Sequence, residues 1–238
     1  MDMTTGVLSY HVEADAGARH RRLALGAGLI PLAGALELVA NVVAMRIVVH
    51  YPLSFYCWAL GDVAATGLIV AGVWLLPVVG PKRWFPVRTL CVVLLVVVVG
   101  HNALGFADLK GVALGGPWST IRTGGYAVRF LLESLRLAAA VVYLLRLGRV
   151  RRQRPLFTVA AFALLPAMLF TVSVVVLHVS NLLWQMNPAL GLDAVNRWFS
   201  AYGQLWLYAS FGLVTLAFGA VSLFGMLGMQ AVRRGARY

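Results

Sequence analysis

Residues 86–107 read PVRTLCVVLLVVVVGHNALGFA, an almost unbroken apolar run. A helix needs about 20 apolar residues to cross the hydrocarbon layer of a membrane. The whole chain agrees with this stretch, because 61% of its 238 residues are hydrophobic and only 12% are charged. Soluble proteins carry about 25% charged residues. The sequence therefore predicts an all-α integral membrane protein.

Apolar runs of similar length lie on both sides of this one, so a bundle of six transmembrane helices is predicted. The spans are Leu23–Val49, Pro52–Val79, Pro86–Ala107, Gly125–Leu147, Pro155–Trp184 and Phe199–Gln230. They form a membrane domain over residues 23–232. Residues 1–22 are polar and are expected to be loose or to form a short surface helix, and residues 233–238 form a basic tail.

Lysine and arginine are concentrated on one side of the predicted membrane. Fourteen of the twenty flank the ends that would lie with the two termini, whereas the opposite loops hold only Lys110, Arg122 and Arg197. Because basic flanks stay in the cytoplasm, both termini are predicted to be cytoplasmic. This topology and anionic lipid account for the net charge of +12, so no nucleic-acid partner is expected. The pattern is typical of a bacterial inner (plasma) membrane protein.

Ten ionisable side chains lie within the predicted spans or at their rims, although a charge at the bilayer centre costs about 2.5–3.5 kcal/mol. They are Glu37, Arg46, His50, Asp62, His101, Asp108, Arg129, Glu133, Arg136 and His178. With a helical rise of about 1.5 Å per residue, nearly all of them fall in the outer half. Arg46, His50, Asp108 and Arg129 fall nearer the outer boundary than the others, and Arg46 and Asp108 can reach water there.

Five of these residues define a predicted intramembrane polar site. Arg129, Glu133 and Arg136 repeat at three- and four-residue spacing and share one face of the fourth span. Glu133 can pair with either arginine, and Asp62 of the second span can pair with Arg136. With Glu37 of the first span, the set can be a structural group of ion pairs or a site for a solute or for protons.

A second candidate site consists of His101 and His178. Each stands six residues before the outer end of its span, and the third and fifth spans run in the same direction. Two imidazoles that face each other at equal depth can ligate a haem iron. Gly100, Ala103 and Gly105 would leave room for the macrocycle.

The same histidines, with His50, can instead form a mononuclear or dinuclear metal site, because imidazole suits copper, iron and zinc. Possible oxygen ligands are Asp108, Glu37 or Asp62. Their spacing fits no single-helix metal motif, so the ligands would come from separate helices. The predicted cofactor is therefore haem b, copper or iron.

The sequence leaves three functions open, and its motifs assign the chain to no known family. The first is a membrane redox subunit of a larger complex, which binds haem or metal through His101 and His178. Its partners would be other membrane subunits and a quinol or an outer-side electron carrier. The second is a small permease or channel that uses the acidic and basic residues. The third is a non-catalytic structural subunit, so whether the protein is an enzyme stays open.

Overall fold

The computed structural model describes residues 3–47, 51–77, 86–109, 118–150, 153–187 and 193–235, and every element in these ranges is an α-helix. The helices are α1 (Met3–Arg46), α2 (Tyr51–Leu75), α3 (Pro86–Leu109), α4 (Trp118–Val150), α5 (Arg154–Phe162), α6 (Leu165–Met186) and α7 (Asp193–Gly235). Long apolar segments account for this uniformity, and α1 stays helical through its internal Pro31. The structure agrees with the prediction of an all-α membrane protein.

Five helical segments of the described residues are long and apolar enough to cross a membrane. They are Gly17–Ala44, Leu53–Leu75, Val87–Phe106, Arg154–Trp184 and Ala201–Val232. The remaining predicted span, the fourth (Gly125–Leu147), lies within α4, whose 33 residues extend about 50 Å. α4 is less apolar than the five segments, because Arg129, Glu133 and Arg136 lie within two turns of one another.

The helices pack in a closed ring that follows chain order. α1 packs on α2, α2 on α3, α3 on α4, and α4 on α5 and α6. α7 then packs on α5, α6 and α1, which closes the ring. Apolar side chains such as Leu60, Val96 and Leu216 point outward and are at least 66% exposed, as is expected for a surface that faces lipid. The interior therefore has to hold the polar residues.

Close helix contacts depend on glycine at particular positions. A Cβ atom on Gly26 would lie 2.6 Å from the carbonyl oxygen of Gly72, so α1 and α2 approach each other backbone to backbone. Gly225 of α7 makes a similar approach to Ala24 of α1. Small residues at such crossings let membrane helices pack closely. Gly67 of α2, in contrast, has open space beside it.

Polar side chains connect neighbouring helices at three further places. Ser222 Oγ of α7 donates to the Ala24 carbonyl oxygen at 2.8 Å, and Ser134 Oγ of α4 lies 2.8 Å from Thr171 Oγ1 of α6. Arg88 of α3 donates to carbonyl oxygens at the end of α2, where the last turn lacks helical partners. In a lipid environment such bonds satisfy groups that water cannot reach.

Several helix boundaries differ from the predicted ones, and those of the first and fifth spans differ in kind. α1 is continuous from Met3 into the first span, whereas residues 1–22 were predicted to be loose or to form a short surface helix. The fifth span is divided into α5 and α6 at residues 163–164. Pro166 explains the division, because proline has no N–H to donate and its ring crowds the preceding turn.

Candidate functional site

The centre of the site is an ion pair between α2 and α4. Arg129 Nη1 donates to Asp62 Oδ2 at 2.7 Å and Arg129 Nη2 donates to Asp62 Oδ1 at 2.5 Å. The Asp62 side chain is 3% exposed and that of Arg129 is 13% exposed. This planar, two-bond geometry is the strongest form of a charged hydrogen bond. The sequence had suggested Arg136 as the partner of Asp62, and that pairing is wrong.

The residues at which α2 and α4 begin explain why Asp62 pairs with Arg129. Asp62 is eleven residues from the start of α2, and Arg129 is eleven residues from the start of α4 at Trp118. Both therefore lie about 16 Å along their helices. The predicted start of the fourth span at Gly125 had placed Arg129 too close to the surface.

Asn102 of α3 joins this pair and was not recognised from the sequence. Its Nδ2 donates to Asp62 Oδ2 at 3.1 Å and to the Val98 carbonyl oxygen at 2.9 Å. Because both partners are acceptors, they fix which end of the amide carries the nitrogen. Asn102 is 2% exposed, and its Oδ1 has no hydrogen-bond partner in the part of the chain that the structure describes.

A second ion pair lies within α4, nearer the other end of the bundle. Arg136 Nε donates to Glu133 Oε2 at 3.0 Å, and Arg136 Nη2 donates to Glu133 Oε1. This pairing was one of the two that the spacing predicted for Glu133. Arg136 also approaches the sulfur of the buried Cys91 on α3.

Glu37 of α1 belongs to the predicted polar site, and it has no salt-bridge partner among the described residues. It lies on the same face of α1 as the buried Ile30, Ala33 and Ala44, and it is partly exposed there. Its carboxyl group interacts electrostatically with the two ion pairs, favourably with the arginines and unfavourably with the acids. We call Glu37, Asp62, Arg129, Glu133 and Arg136 the charge cluster.

Ser210 of α7 lies at the same depth as Glu37. Gly34 of α1 packs against Phe211 and Thr215, since a Cβ atom there would lie 3.7 Å from both side chains. α1 and α7 run in opposite directions, so Glu37, about one turn after Gly34, lies level with Ser210, which comes before Phe211 and Thr215. The Ser210 hydroxyl is buried and has no hydrogen-bond partner among the described residues. It is therefore a second unsatisfied polar group at this level.

His101 and His178 come together about one turn from the Asp62–Arg129 pair, with Tyr126 between them. The Tyr126 ring is 4.2 Å from the His101 ring, centroid to centroid, and 5.2 Å from the His178 ring, on which it stacks at 11°. Each histidine stands eight residues before the end of its helix, so their matched depth agrees with the sequence.

The space between the histidines does not fit a haem group in this arrangement. Axial ligation needs both imidazoles to point at one iron atom, whereas the Tyr126 ring fills the gap. Gly105, which was expected to leave room, packs against the Phe55 ring.

A metal site is likewise not assembled by the described residues, where no group of three or more His, Cys, Asp or Glu side chains is placed to hold an ion. His50 and the Asp108 side chain lie outside what the structure describes. Arg46 is exposed at the end of α1, as a boundary residue should be.

A small cavity borders the cluster on the side away from the histidines. Its lining comes from five helices and includes Ile30, Val73, Arg136, Tyr143 and Phe218. It has room for about one water molecule, and Arg136 gives it a polar wall. At its far end the Tyr143 hydroxyl donates to the Pro77 carbonyl oxygen at 3.1 Å.

Comparisons with known proteins add no assignment, since no family model, curated protein or solved structure matches the chain. The site therefore has to be interpreted from its own chemistry.

Proposed function

We propose that the protein is a small permease, of carrier or channel type, whose site is the charge cluster. The observation that supports this most directly is Glu37, a carboxyl group inside a ring of helices that forms no salt bridge with any residue the structure describes. Ionisable residues within membrane proteins are expensive and usually face a pathway for ions or solutes. Glu37, on the inward face of α1, fits that pattern.

A purely structural role explains the cluster less well. Buried ion pairs contribute little net stability, because the cost of removing two charges from water offsets their attraction. Apolar residues would close the same contacts at lower cost. The Asp62–Arg129 pair can hold α2 to α4 and the Glu133–Arg136 pair can neutralise α4 internally, but Glu37 adds a charge without a salt bridge to any described residue.

The surroundings of the cluster supply features that a permease needs. On one side is the stack of His101, Tyr126 and His178, which would act as an outer barrier. On the other side is the water-sized cavity beside Arg136. The division of the fifth span at Pro166 offers a point where α5 and α6 can change their relative angle.

The remaining assignments belong to the same proposal. α4 would cross the membrane as the fourth of six spans. Both termini would be cytoplasmic, and the compartment would be a bacterial inner membrane. Lipid and other membrane subunits would be the partners.

A redox subunit is the second candidate, since the structure brings His101 and His178 to one place. It would require Tyr126 to leave the gap before haem b could be ligated. A copper or iron ion bound with His50, and electron exchange with a quinol or an outer-side carrier, belong to this candidate.

Proteoliposomes test the permease directly. Stopped-flow light scattering would follow vesicle swelling with urea, glycerol, sodium chloride, potassium chloride and ammonium chloride. We expect protein-dependent flux for at least one solute, and a loss of that flux in the double variant Asp62→Asn, Arg129→Gln. Ser173→Ala is the control, because Ser173 donates a hydrogen bond to the Leu169 carbonyl oxygen of its own helix. Swelling equal to that of empty vesicles for every solute would refute the permease and leave the redox subunit and the non-catalytic subunit as the remaining functions.

A further inference from the structure

The charge cluster has a composition that selects for one class of ligand. Three carboxylates and two guanidinium groups lie close enough to interact electrostatically, which gives a formal charge of −1 when all are ionised. Two of the carboxylates are neutralised by direct bonds to arginine. The unbalanced charge therefore resides on Glu37.

An unpartnered acceptor beside the cluster gives a second, independent indication. Asn102 Nδ2 is committed to Asp62 and to the Val98 carbonyl oxygen, so Asn102 Oδ1 cannot exchange places with it. Oδ1 is buried and accepts no hydrogen bond in the described residues. A buried acceptor without a donor is costly, and such groups in native proteins are generally satisfied by a ligand, an ion or water. Ser210 Oγ, level with Glu37, is in the same condition.

We infer that the cluster binds one monovalent cation between the Glu37 carboxylate and the Asn102 amide oxygen, and that this cation is the ion the permease moves. A single positive charge brings the cluster to neutrality. A divalent ion would leave an excess positive charge next to Arg129 and Arg136, so it would be disfavoured. The inference rests on the proposed permease function and names its substrate class.

The donor atoms narrow the chemistry further. Carboxylate, amide and hydroxyl oxygens suit hard cations, and neither Glu37 nor Asn102 offers the sulfur or imidazole nitrogen that transition metals prefer. A proton carried by Glu37 and an alkali cation held by the same oxygens share this chemistry. An experiment with a separate probe for each distinguishes the proton from the alkali cation.

The test uses the full-length protein in proteoliposomes with three probes. Radiolabelled sodium and radiolabelled rubidium report alkali cations, and pyranine trapped in the vesicles reports protons. Glu37→Gln should lower the flux of one of the three by about tenfold or more, because it removes the charged ligand. Glu37→Asp keeps the charge and should retain flux, and Ser173→Ala should match the wild type. Which probe responds identifies the cation.

Asn102→Ala keeps the inference testable if Glu37→Gln fails to yield folded protein. It removes the amide oxygen and leaves the Glu37 charge in place, so we expect the same probe to lose flux. Equal cation flux in the wild type and in both variants would overturn the inference. If urea or glycerol flux persists while no cation moves, the cation assignment fails and the permease stands. If no solute moves, both fail.

Discussion

The Asp62–Arg129 pair should be the most stabilising of the charged contacts, and Asp62→Asn tests this. The substitution removes the negative partner and leaves the Arg129 guanidinium, which is 13% exposed, without a carboxylate bonded to it. Breaking a buried ion pair on one side costs about 3–5 kcal/mol, because the remaining charge is uncompensated. For a protein of this size that corresponds to a decrease in melting temperature of roughly 6–20 °C.

Cys91 provides the assay. It is 1% exposed, so a thiol-reactive fluorescent dye will reach it only as the bundle opens on heating in detergent. Cys57 is partly exposed and would be replaced by serine to remove its background. The temperature of dye reaction then reports unfolding directly.

Two further variants decide whether the loss arises from the unpaired charge. The double variant Asp62→Asn, Arg129→Gln removes both charges, so it should recover a large part of the lost stability. Glu37→Gln removes a charge that has no salt-bridge partner, so it should leave the melting temperature unchanged or raise it. Equal melting temperatures for Asp62→Asn and the wild type, or a double variant no more stable than Asp62→Asn, would refute the reasoning.

Three other predictions concern packing and the cofactor. Gly72→Ala should destabilise the fold, since the new Cβ would lie 2.7 Å from the Gly26 carbonyl oxygen, whereas Gly67→Ala meets open space and should be neutral in the same melting assay. Ser134→Val should cost about 0.5–1.5 kcal/mol, because the Thr171 hydroxyl loses its inter-helix donor while it keeps its own bond to the Met168 carbonyl oxygen, and comparable melting of the variant and the wild type would contradict this. Protein purified from haem-replete cells should show no Soret band in its visible spectrum, because Tyr126 fills the gap between the histidines; a Soret band would favour the redox subunit.

The membership of the charge cluster could be predicted from sequence because a charged residue inside an apolar segment is conspicuous. Its pairing could not, since pairing depends on helix registers that sequence fixes only loosely. α4 begins at Trp118 rather than Gly125, a shift of about 10 Å along the axis. That shift moves Arg129 to the depth of Asp62. Loop residues rich in glycine gave no signal that the helix extends so far.

The environment of the histidines was also predictable only in part: their depth could be predicted from the sequence, but their orientation could not. Depth along a helix can be counted, so the equal depth of His101 and His178 was predictable. Rotation about the helix axis is set by packing, and only the packed structure shows that Tyr126 points between them. Asn102 was missed because a neutral amide in an apolar run attracts no attention until its burial and its unsatisfied oxygen are known.

The distribution of charge separates the paired groups on α2 and α4 from Glu37, the group to which the permease proposal assigns a function. α4 carries two arginines and one glutamate in the cluster, so it needs one external negative charge, and Asp62 supplies it. At that point every cluster charge on α2 and α4 is balanced, and the structural requirement is met. Glu37 then adds a third carboxylate from α1 that forms no salt bridge in the described residues and disturbs the neutrality. A residue that raises the cost of the fold without stabilising it is explained by what it binds, so Glu37 is the position where function should be tested first.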